Sequence, residues 1–315
     1  MEQLNYKIEQ LIKVFSENSR YEAHKRVAPI LLEMAKDEHY LKAIIKQNIA
    51  QDDFFNQNRI NPVIAFKIFE NKDFSFVAHA FMPLPDKDTT ITHQSIHHHG
   101  NLLLSTVNCF GKGYESILFK KGYQFTDVEA KLEVQKKYTN TLYNYEFIDS
   151  HTPHVVYYPS EVTITYALWS SEKENATDGI KRLGLLKKYK KPVKKVIQVL
   201  GFEKLFNLNI VEYMDFYVKE DKVVPMKERI KYPEASNLNF IENLFYLLQQ
   251  VNFENEDFLS EIFSNLSDSE KQLVKPILQK YLNNEELKTS IEDSQLNIAK
   301  VNLNRADLER IFKTA

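Results

Sequence analysis

Residues 89–101 read TTITHQSIHHHGN, a short stretch that holds four of the nine histidines of the chain. In an extended strand, alternate side chains point to one face of the sheet, so His93, His97 and His99 share a face and His98 points the other way. Two imidazoles two residues apart on one face can bind a single metal ion, because their ring nitrogens converge above the sheet. Neutral imidazole is a common ligand of iron, zinc, copper and nickel. The stretch therefore predicts a strand that carries part of a metal site.

A second histidine stretch, SHTPHVVYYPS at 150–160, leads into the β-branched and aromatic run VTITYALW at 162–169. Runs of this composition favour strands. Six of the nine histidines fall between His93 and His154, and a β-rich interval separates the two groups. His151 and His154 compete for the position of a third ligand. This layout predicts a mononuclear metal site in a β-barrel.

Two short motifs carry a resemblance to a known family. The run IHHHG at 96–100 resembles the first metal motif of the cupins, and HVVYYPS at 154–160 resembles the second. Within the cupins, the pattern is most similar to that of the three-histidine thiol dioxygenases (the cysteine dioxygenase group), which bind ferrous iron. The resemblance extends over roughly residues 60–170. It implies an α+β protein with a central double-stranded β-helix barrel of the cupin type.

The resemblance implies that His97, His99 and His154 are the metal ligands and form the catalytic centre. It favours His154 over His151, because the residues that follow His154 match the second motif. Three imidazoles leave a divalent metal with open positions for substrate and oxygen. Fe(II) is the cofactor that the resemblance implies, and the ligand set also suits zinc, nickel and copper.

Three features distinguish the chain from many members of these families. The carboxylate that cupins usually carry a few residues after the second histidine is absent, since Leu103 and Leu104 stand there, which favours a three-histidine site. Leu104 also occupies the place of a cysteine in many thiol dioxygenases, and Cys109 lies farther along. Trp169 and two serines occupy the region of their tyrosine. We therefore do not expect free cysteine to be the substrate.

Five further residues are candidates for positions behind the ligands or in a substrate pocket: His93, His151, Tyr158, Tyr166 and Trp169. His93 shares the predicted face of the ligands, but a position at the barrel rim explains it equally well. Aromatic residues on strands belong more often to a core than to a pocket. The histidine at 98 is expected to point away from the metal and to be structural.

Composition and charge exclude several classes of protein. The net charge of -2 gives no general attraction to nucleic acid or to anionic membranes. No apolar run approaches the length that spans a bilayer. Cys109 is the single cysteine, which excludes an intramolecular disulfide and fits a reducing compartment. The N-terminal residues lack the basic start and apolar run of a signal peptide. We expect a cytoplasmic protein that binds neither nucleic acid nor membrane, of unknown oligomeric state.

Three segments are predicted along the chain. Residues 1–58 are expected to be helical and to pack on the barrel, 59–172 to form the cupin barrel with the metal site, and 173–315 to form a mostly helical C-terminal region. Helices are predicted at 2–17, 20–36, 39–49, 239–251, 256–265, 267–283 and 291–312. Besides the histidine stretches, strands are predicted at 63–69, 74–83, 101–107, 114–119, 131–137 and 144–148. A lysine-rich helix at 180–200 is interpreted as a solvated face.

These observations predict an Fe(II)-dependent cupin oxygenase that uses O2 to oxidise a small molecule coordinated to the metal. The C-terminal region would close the barrel mouth, with candidate substrate contacts at 232–239, a stretch that also fits a plain loop. One alternative is a non-catalytic metal-binding or ligand-binding cupin that acts as a sensor or interaction protein. Another is a zinc or nickel cupin isomerase or hydrolase.

Overall fold

The structure is a computed structural model that describes residues 2–51, 54–56, 63–83, 95–126, 128–171, 214–219, 221–226, 236–289 and 305–312. The predictions at His93 and at the lysine-rich stretch 180–200 lie outside the described residues. Among the helices described, none combines the length and the apolar composition needed to cross a membrane.

Helices form both ends of the described chain. The first group is α1 (Glu2–Glu17), α2 (Arg20–Arg26), α3 (Ala28–Ala35) and α4 (Glu38–Ile49), followed by a 3-10 turn at Phe54–Asn56. The second group is α5 (Asn237–Gln250), α6 (Glu256–Asn265), α7 (Asp268–Leu282) and α8 (Arg305–Ile311). Ser19, Asp37, Ser236 and Ser267 each accept a backbone N–H of the helix that follows. These caps satisfy donors that no helical carbonyl reaches, and they fix where the helices begin.

The prediction of one helix at 20–36 was wrong, because two helices occupy this stretch. α2 ends at Arg26 and α3 begins at Ala28, with Pro29 in its first turn. Proline is tolerated in the first helical turn because the N–H it lacks would have no helical partner there. Deeper in a continuous helix the same ring would clash with a preceding carbonyl, so the proline sets a new helix start.

The strands described are short and lie between the two helical groups. They are β1 (Val63–Glu70), β2 (Ser75–Phe81), β3 (Ile96–His98), β4 (Leu102–Phe110), β5 (Glu115–Phe119), β6 (Gln124–Phe125), β7 (Ala130–Lys131), β8 (Val134–Thr139), β9 (Tyr145–Ile148), β10 (His154–Val156), β11 (Thr163–Ser171), β12 (Met214–Lys219) and β13 (Lys222–Pro225). Most of them coincide with runs of β-branched and aromatic residues, which fit a pleated, half-buried surface.

The pairing of these strands defines the fold. One described sheet has the order β1-β2-β11-β4-β9, and the other has the order β13-β12-β3-β10-β5-β8. Four antiparallel pairs are nested in the chain, each enclosing the one before it: β5–β8, β4–β9, β3–β10 and β2–β11. In a jelly-roll barrel of the cupin type, the chain segments on the two sides of one central strand pair run antiparallel to each other. Their successive strands belong alternately to two facing sheets. The protein is therefore an α+β protein with a cupin-type barrel, as predicted.

Two strand pairs were not predicted from the sequence. β6 and β7 form a two-stranded hairpin between β5 and β8. β12 and β13 come from the segment 173–315, and β12 extends the second sheet by pairing with β3. The C-terminal region is thus mostly helical in its described part but also contributes the strand beside the histidine stretch. The boundaries between the three predicted segments stay a prediction.

Apolar layers cover the outer face of each sheet. The face of the first sheet that carries Ile164 and Tyr166 packs in one cluster with α1 to α7. The described C-terminal helices α5 to α7 therefore lie with the N-terminal helices on this outer face. The outer face of the second sheet, with Ile96 and Phe216, packs against the β6–β7 hairpin and Leu308 of α8.

The space between the sheets holds a smaller apolar cluster. Leu104, Leu118, Ile148 and Ala167 form it, with Trp169 at its margin. Leu118 pairs directly with the histidine at 154, and paired residues of antiparallel strands share a face. The interior of the barrel is therefore where the histidine stretches meet.

Candidate metal centre

Two neighbouring strands of the second sheet bring the predicted ligands together. His97 lies on β3 and His154 is the first residue of β10, and the two are direct partners in the antiparallel ladder. Their side chains share the interior face, because opposite residues of an antiparallel pair do. His99 follows β3 immediately and lies on the same side as His97. The assignment of His97 and His99 to one face, made from strand periodicity, is confirmed.

The three imidazoles form a nearly equilateral group. The ring centroids are 4.9 Å apart for His97 and His99, 4.5 Å for His97 and His154, and 4.8 Å for His99 and His154. One ring nitrogen from each side chain lies within 4.8 Å of the other two. Metal–nitrogen bonds of about 2.1 Å in a tetrahedral geometry place the nitrogens about 3.4 Å apart. The rings reach this spacing by a small movement toward one another. The group fits one divalent ion of the kind that binds imidazole.

Backbone contacts orient His154 for this role. Its Nδ1 lies 3.1 Å from the carbonyl oxygen of Thr152, so Nδ1 donates the hydrogen and Nε2 carries the lone pair that a metal requires. Burial lowers the pKa of His154 to about 4, because the charged imidazolium loses its hydration. The ring is therefore neutral at pH 7. His97 Nδ1 lies 3.5 Å from the carbonyl oxygen of Ser95, a longer contact of the same kind.

A tight turn after β3 fixes the position of His99, the third predicted ligand. Gly100 has a φ of 60°, a left-handed conformation that glycine adopts without steric cost. Its N–H donates to His98 Nδ1 at 3.0 Å, and its carbonyl accepts the N–H of His151 at 2.6 Å. The turn ties the first histidine stretch to the loop before the second. The two motifs are thus held together at the point where their histidines converge.

His98 points to the opposite face, as predicted. Its Nδ1 accepts the Gly100 N–H and its Nε2 lies 2.8 Å from the Tyr123 hydroxyl, so both nitrogens have partners within the protein. Burial, with smaller contributions from His151 and His154, lowers the pKa of His98 to about 4. His98 therefore has the contacts of a structural histidine.

The other predicted pocket residues are divided between the two sides of the sheets. Trp169 contacts His99 edge-on, with ring centroids 4.6 Å apart. Tyr166 lies on the opposite face of β11, in the cluster with the helices. His151 is exposed, and its ring lies 5.5 Å from His98 on the outer side of β3. Tyr158 is buried just after β10. Of the stretch 232–239, residues 232–235 lie outside the described residues, and the remainder caps and begins α5.

An open cavity of about 550 Å3 adjoins the group at His99. Trp169, Leu102 and Ser170 line it, together with His79 of β2. Burial lowers the pKa of His79 to about 4, so this side chain is neutral at pH 7. Sequence reasoning missed His79, although alternation along β2 places it on the face of Val77, which packs in the interior cluster.

Sequence reasoning also missed Asp215. This residue lies on β12, a strand that was not predicted, and is the direct ladder partner of His97. No local signal marks an isolated aspartate in a segment that reads as helical, so only the strand pairing reveals its position.

Comparison with known proteins identifies no relative of this chain in sequence. No family model matches the chain, and no curated protein matches it. A Cupin 2 conserved barrel domain protein from Salinispora arenicola is 14% identical over 37% of this chain and 82% of that chain, with a TM-score of 0.25. A protein with a double-stranded β-helix domain from Klebsiella pneumoniae is 11% identical over 35% of this chain and 78% of that one, with a TM-score of 0.22.

An enzyme is also among the matching structures. The DMSP lyase DddQ from Ruegeria pomeroyi is 12% identical over 36% of this chain, with a TM-score of 0.25. This chain covers 49% of the length of that lyase. Likenesses of this size do not indicate a function, and the assignment of the fold rests on the strand pairing described above.

Proposed function

We propose that the protein is an Fe(II)-dependent oxygenase that binds the metal through His97, His99 and His154. In this proposal it uses O2 to oxidise a small molecule that coordinates the metal. The observation that carries the proposal is the convergence of three imidazoles from two separate strands on one point inside a cupin barrel. A structural metal site has four protein ligands, whereas three ligands leave positions for reactants.

The protein residues account for the binding and orientation that such a reaction requires. A bound Fe(II) ion would supply redox chemistry with O2 and would polarise a coordinated substrate. His154 is held in one tautomer by the Thr152 carbonyl and is kept neutral by burial. The three-imidazole set adds no negative charge, so an anionic substrate atom is accepted at the metal without repulsion from the ligands.

The cavity beside His99 is the proposed substrate site. Trp169 presents a large aromatic surface next to a proposed ligand, and the neutral imidazole of His79 offers a hydrogen-bonding group. A substrate with a metal-coordinating atom at one end and an apolar or aromatic body fits this lining. In a dioxygenase reaction both atoms of O2 enter the substrate, which is itself the reductant, so no further cofactor is needed.

Metal analysis and oxygen uptake test the proposal. The full chain, purified without added metal and then loaded anaerobically with Fe(II), is expected to bind one iron. It is also expected to consume O2 when a metal-coordinating thiol, catechol or diketone that fits the cavity is added. With 18O2, both labelled atoms should appear in the product. The His97→Ala variant is the control and should show neither iron binding nor oxygen uptake.

Two results would contradict the proposal. Native zinc or nickel, with turnover that needs no O2, would favour a cupin isomerase or hydrolase. Tight iron binding without turnover of any compound that displaces water from the metal would favour a sensor or interaction protein.

A further inference from the structure

A buried carboxylate lies in the same row of side chains as the histidine group. Asp215 of β12 is only 7% exposed and is the direct ladder partner of His97. On its other side His97 pairs with His154 of β10. Direct partners of antiparallel strands share a face, with Cβ atoms about 4.5–5.5 Å apart. The row His154–His97–Asp215 therefore crosses three adjacent strands on the interior face of the barrel.

A second interior residue holds this carboxylate. Ser95 is completely buried and donates its hydroxyl hydrogen to Asp215 Oδ1 at 3.0 Å. Ser95 precedes His97 by two residues, and its carbonyl oxygen is the one that lies near His97 Nδ1. One serine thus contacts the carboxylate through its side chain and the proposed ligand through its backbone. A buried ionised carboxylate is costly unless hydrogen bonds and nearby positive charge compensate for its lost hydration.

We propose that Asp215 is a positioning residue that supplies the negative charge of this metal centre. The inference rests on the proposed metal site. Leu103 and Leu104 occupy the positions after the first motif where cupins usually carry a carboxylate, and β12 places a carboxylate on the interior face from a distant part of the chain. Its charge, next to His97, favours a divalent cation among the three imidazoles. The β12–β13 hairpin therefore has a role in the site besides extending the sheet.

Binding of Co(II), a spectroscopic probe for such sites, tests the inference on the full-length protein. Asp215→Asn removes the charge and retains the size of the side chain, and it should weaken Co(II) affinity about 10- to 100-fold, as is typical for partners of metal ligands. It should also shift the visible absorption of the bound cobalt. Asp221→Asn is the matched control, since Asp221 lies in the turn of the same hairpin, exposed and paired with Arg310. This control should change the affinity less than twofold.

The results separate a failure of this inference from a failure of the proposed site. If Asp215→Asn keeps wild-type affinity and spectrum while His97→Ala loses Co(II), the role of Asp215 is overturned and the site stands. If wild type and His97→Ala bind Co(II) equally well, or neither binds it, both are overturned. Thermal unfolding of the metal-free variants checks the fold. Should Asp215→Asn fail to fold, Ser95→Ala decides, with a threefold or greater weakening expected and unchanged affinity overturning the inference.

Discussion

Two regions of this protein contain buried histidines whose ring nitrogens face different kinds of group. At His24 of α2, Nδ1 lies 2.7 Å from the Ser105 hydroxyl and Nε2 lies 2.7 Å from the Ser170 hydroxyl. In the barrel interior, His154 has one nitrogen on a backbone carbonyl and lies with His97 and His99 around a common point. Both regions are buried, yet only the second brings ring nitrogens of different chain segments together.

The difference separates a histidine that stabilises the fold from one that binds a ligand. Hydroxyl groups can donate or accept, so two serines satisfy both nitrogens of a neutral imidazole. This joins α2 to β4 and β11 and fixes the first helical group on the sheet. Three imidazoles that face one another direct a ring nitrogen each toward a common point, and a cation there is the natural common acceptor of their lone pairs. Burial alone does not distinguish the two cases, whereas the partners of each nitrogen do.

The largest expected effect follows from removing an imidazole of the interior group. His97→Ala should lower the affinity for Co(II) or Fe(II) more than 100-fold, because two remaining imidazoles form an incomplete site. The fold should persist, since the loss of one interior side chain leaves both outer apolar layers intact. Metal titration and circular dichroism measure the two quantities.

His98→Asn is the matched control for this substitution, one position away on the outer face. It should leave the affinity for metal within about threefold of wild type while it lowers stability, because the Gly100 and Tyr123 contacts are altered. Loss of metal binding in the control but not in His97→Ala would reverse the assignment of the two faces.

A smaller effect, on stability rather than on metal binding, is expected at the other region. His24→Leu should lower the free energy of unfolding by about 3 kcal/mol, since it leaves the buried Ser170 hydroxyl without its partner and disturbs packing on Phe15. Denaturant unfolding measures this quantity. Unchanged metal affinity in the same variant would support the separation of the two regions, and a tenfold change would contradict it.

The smallest expected effect is on how the free energy of unfolding changes with pH. Burial, assisted by the nearby charge of Arg20, lowers the pKa of His24 to about 3, below the value of about 6.5 in an unfolded chain. The unfolded state therefore binds a proton first, so the stabilising contribution is complete above pH 6.5 and is lost as the pH falls toward 3. The contribution of His24 to the slope of the free energy of unfolding against pH should approach but not exceed about 1.4 kcal/mol per pH unit. His24→Leu should reduce the slope between pH 4 and 6, and an unchanged slope would exclude His24 as its source.

The sequence predicted those features that depend on local patterns. Helices with amphipathic spacing, such as α1 and α6, have the predicted bounds. Residue alternation placed His97 and His98 on opposite faces without knowledge of the partner strands. It did not reveal the break at Pro29, where a single ring outweighs a continuous helical pattern.

The sequence was less informative where contacts are long-range. Tyr166 and Trp169 lie on one strand and share aromatic character, but only Trp169 faces the histidine group. Which face of β11 is interior depends on the sheet opposite, and no property of β11 itself specifies it. His79 and Asp215 were missed for the same reason, because each becomes part of the site only through its ladder partners.

The sequence by itself determined that two histidine stretches lie on β-strands and that His97 and His99 share a face, since strand geometry has a fixed period of two. The second motif favoured His154 as their partner, but only the tertiary structure brought it beside His97 and placed Asp215 on the other side of His97. The tertiary structure also decided that His24, which is fully buried, belongs to a separate network. These juxtapositions arise from the pairing of strands far apart in the chain, and that pairing is set by how the whole barrel buries its apolar faces.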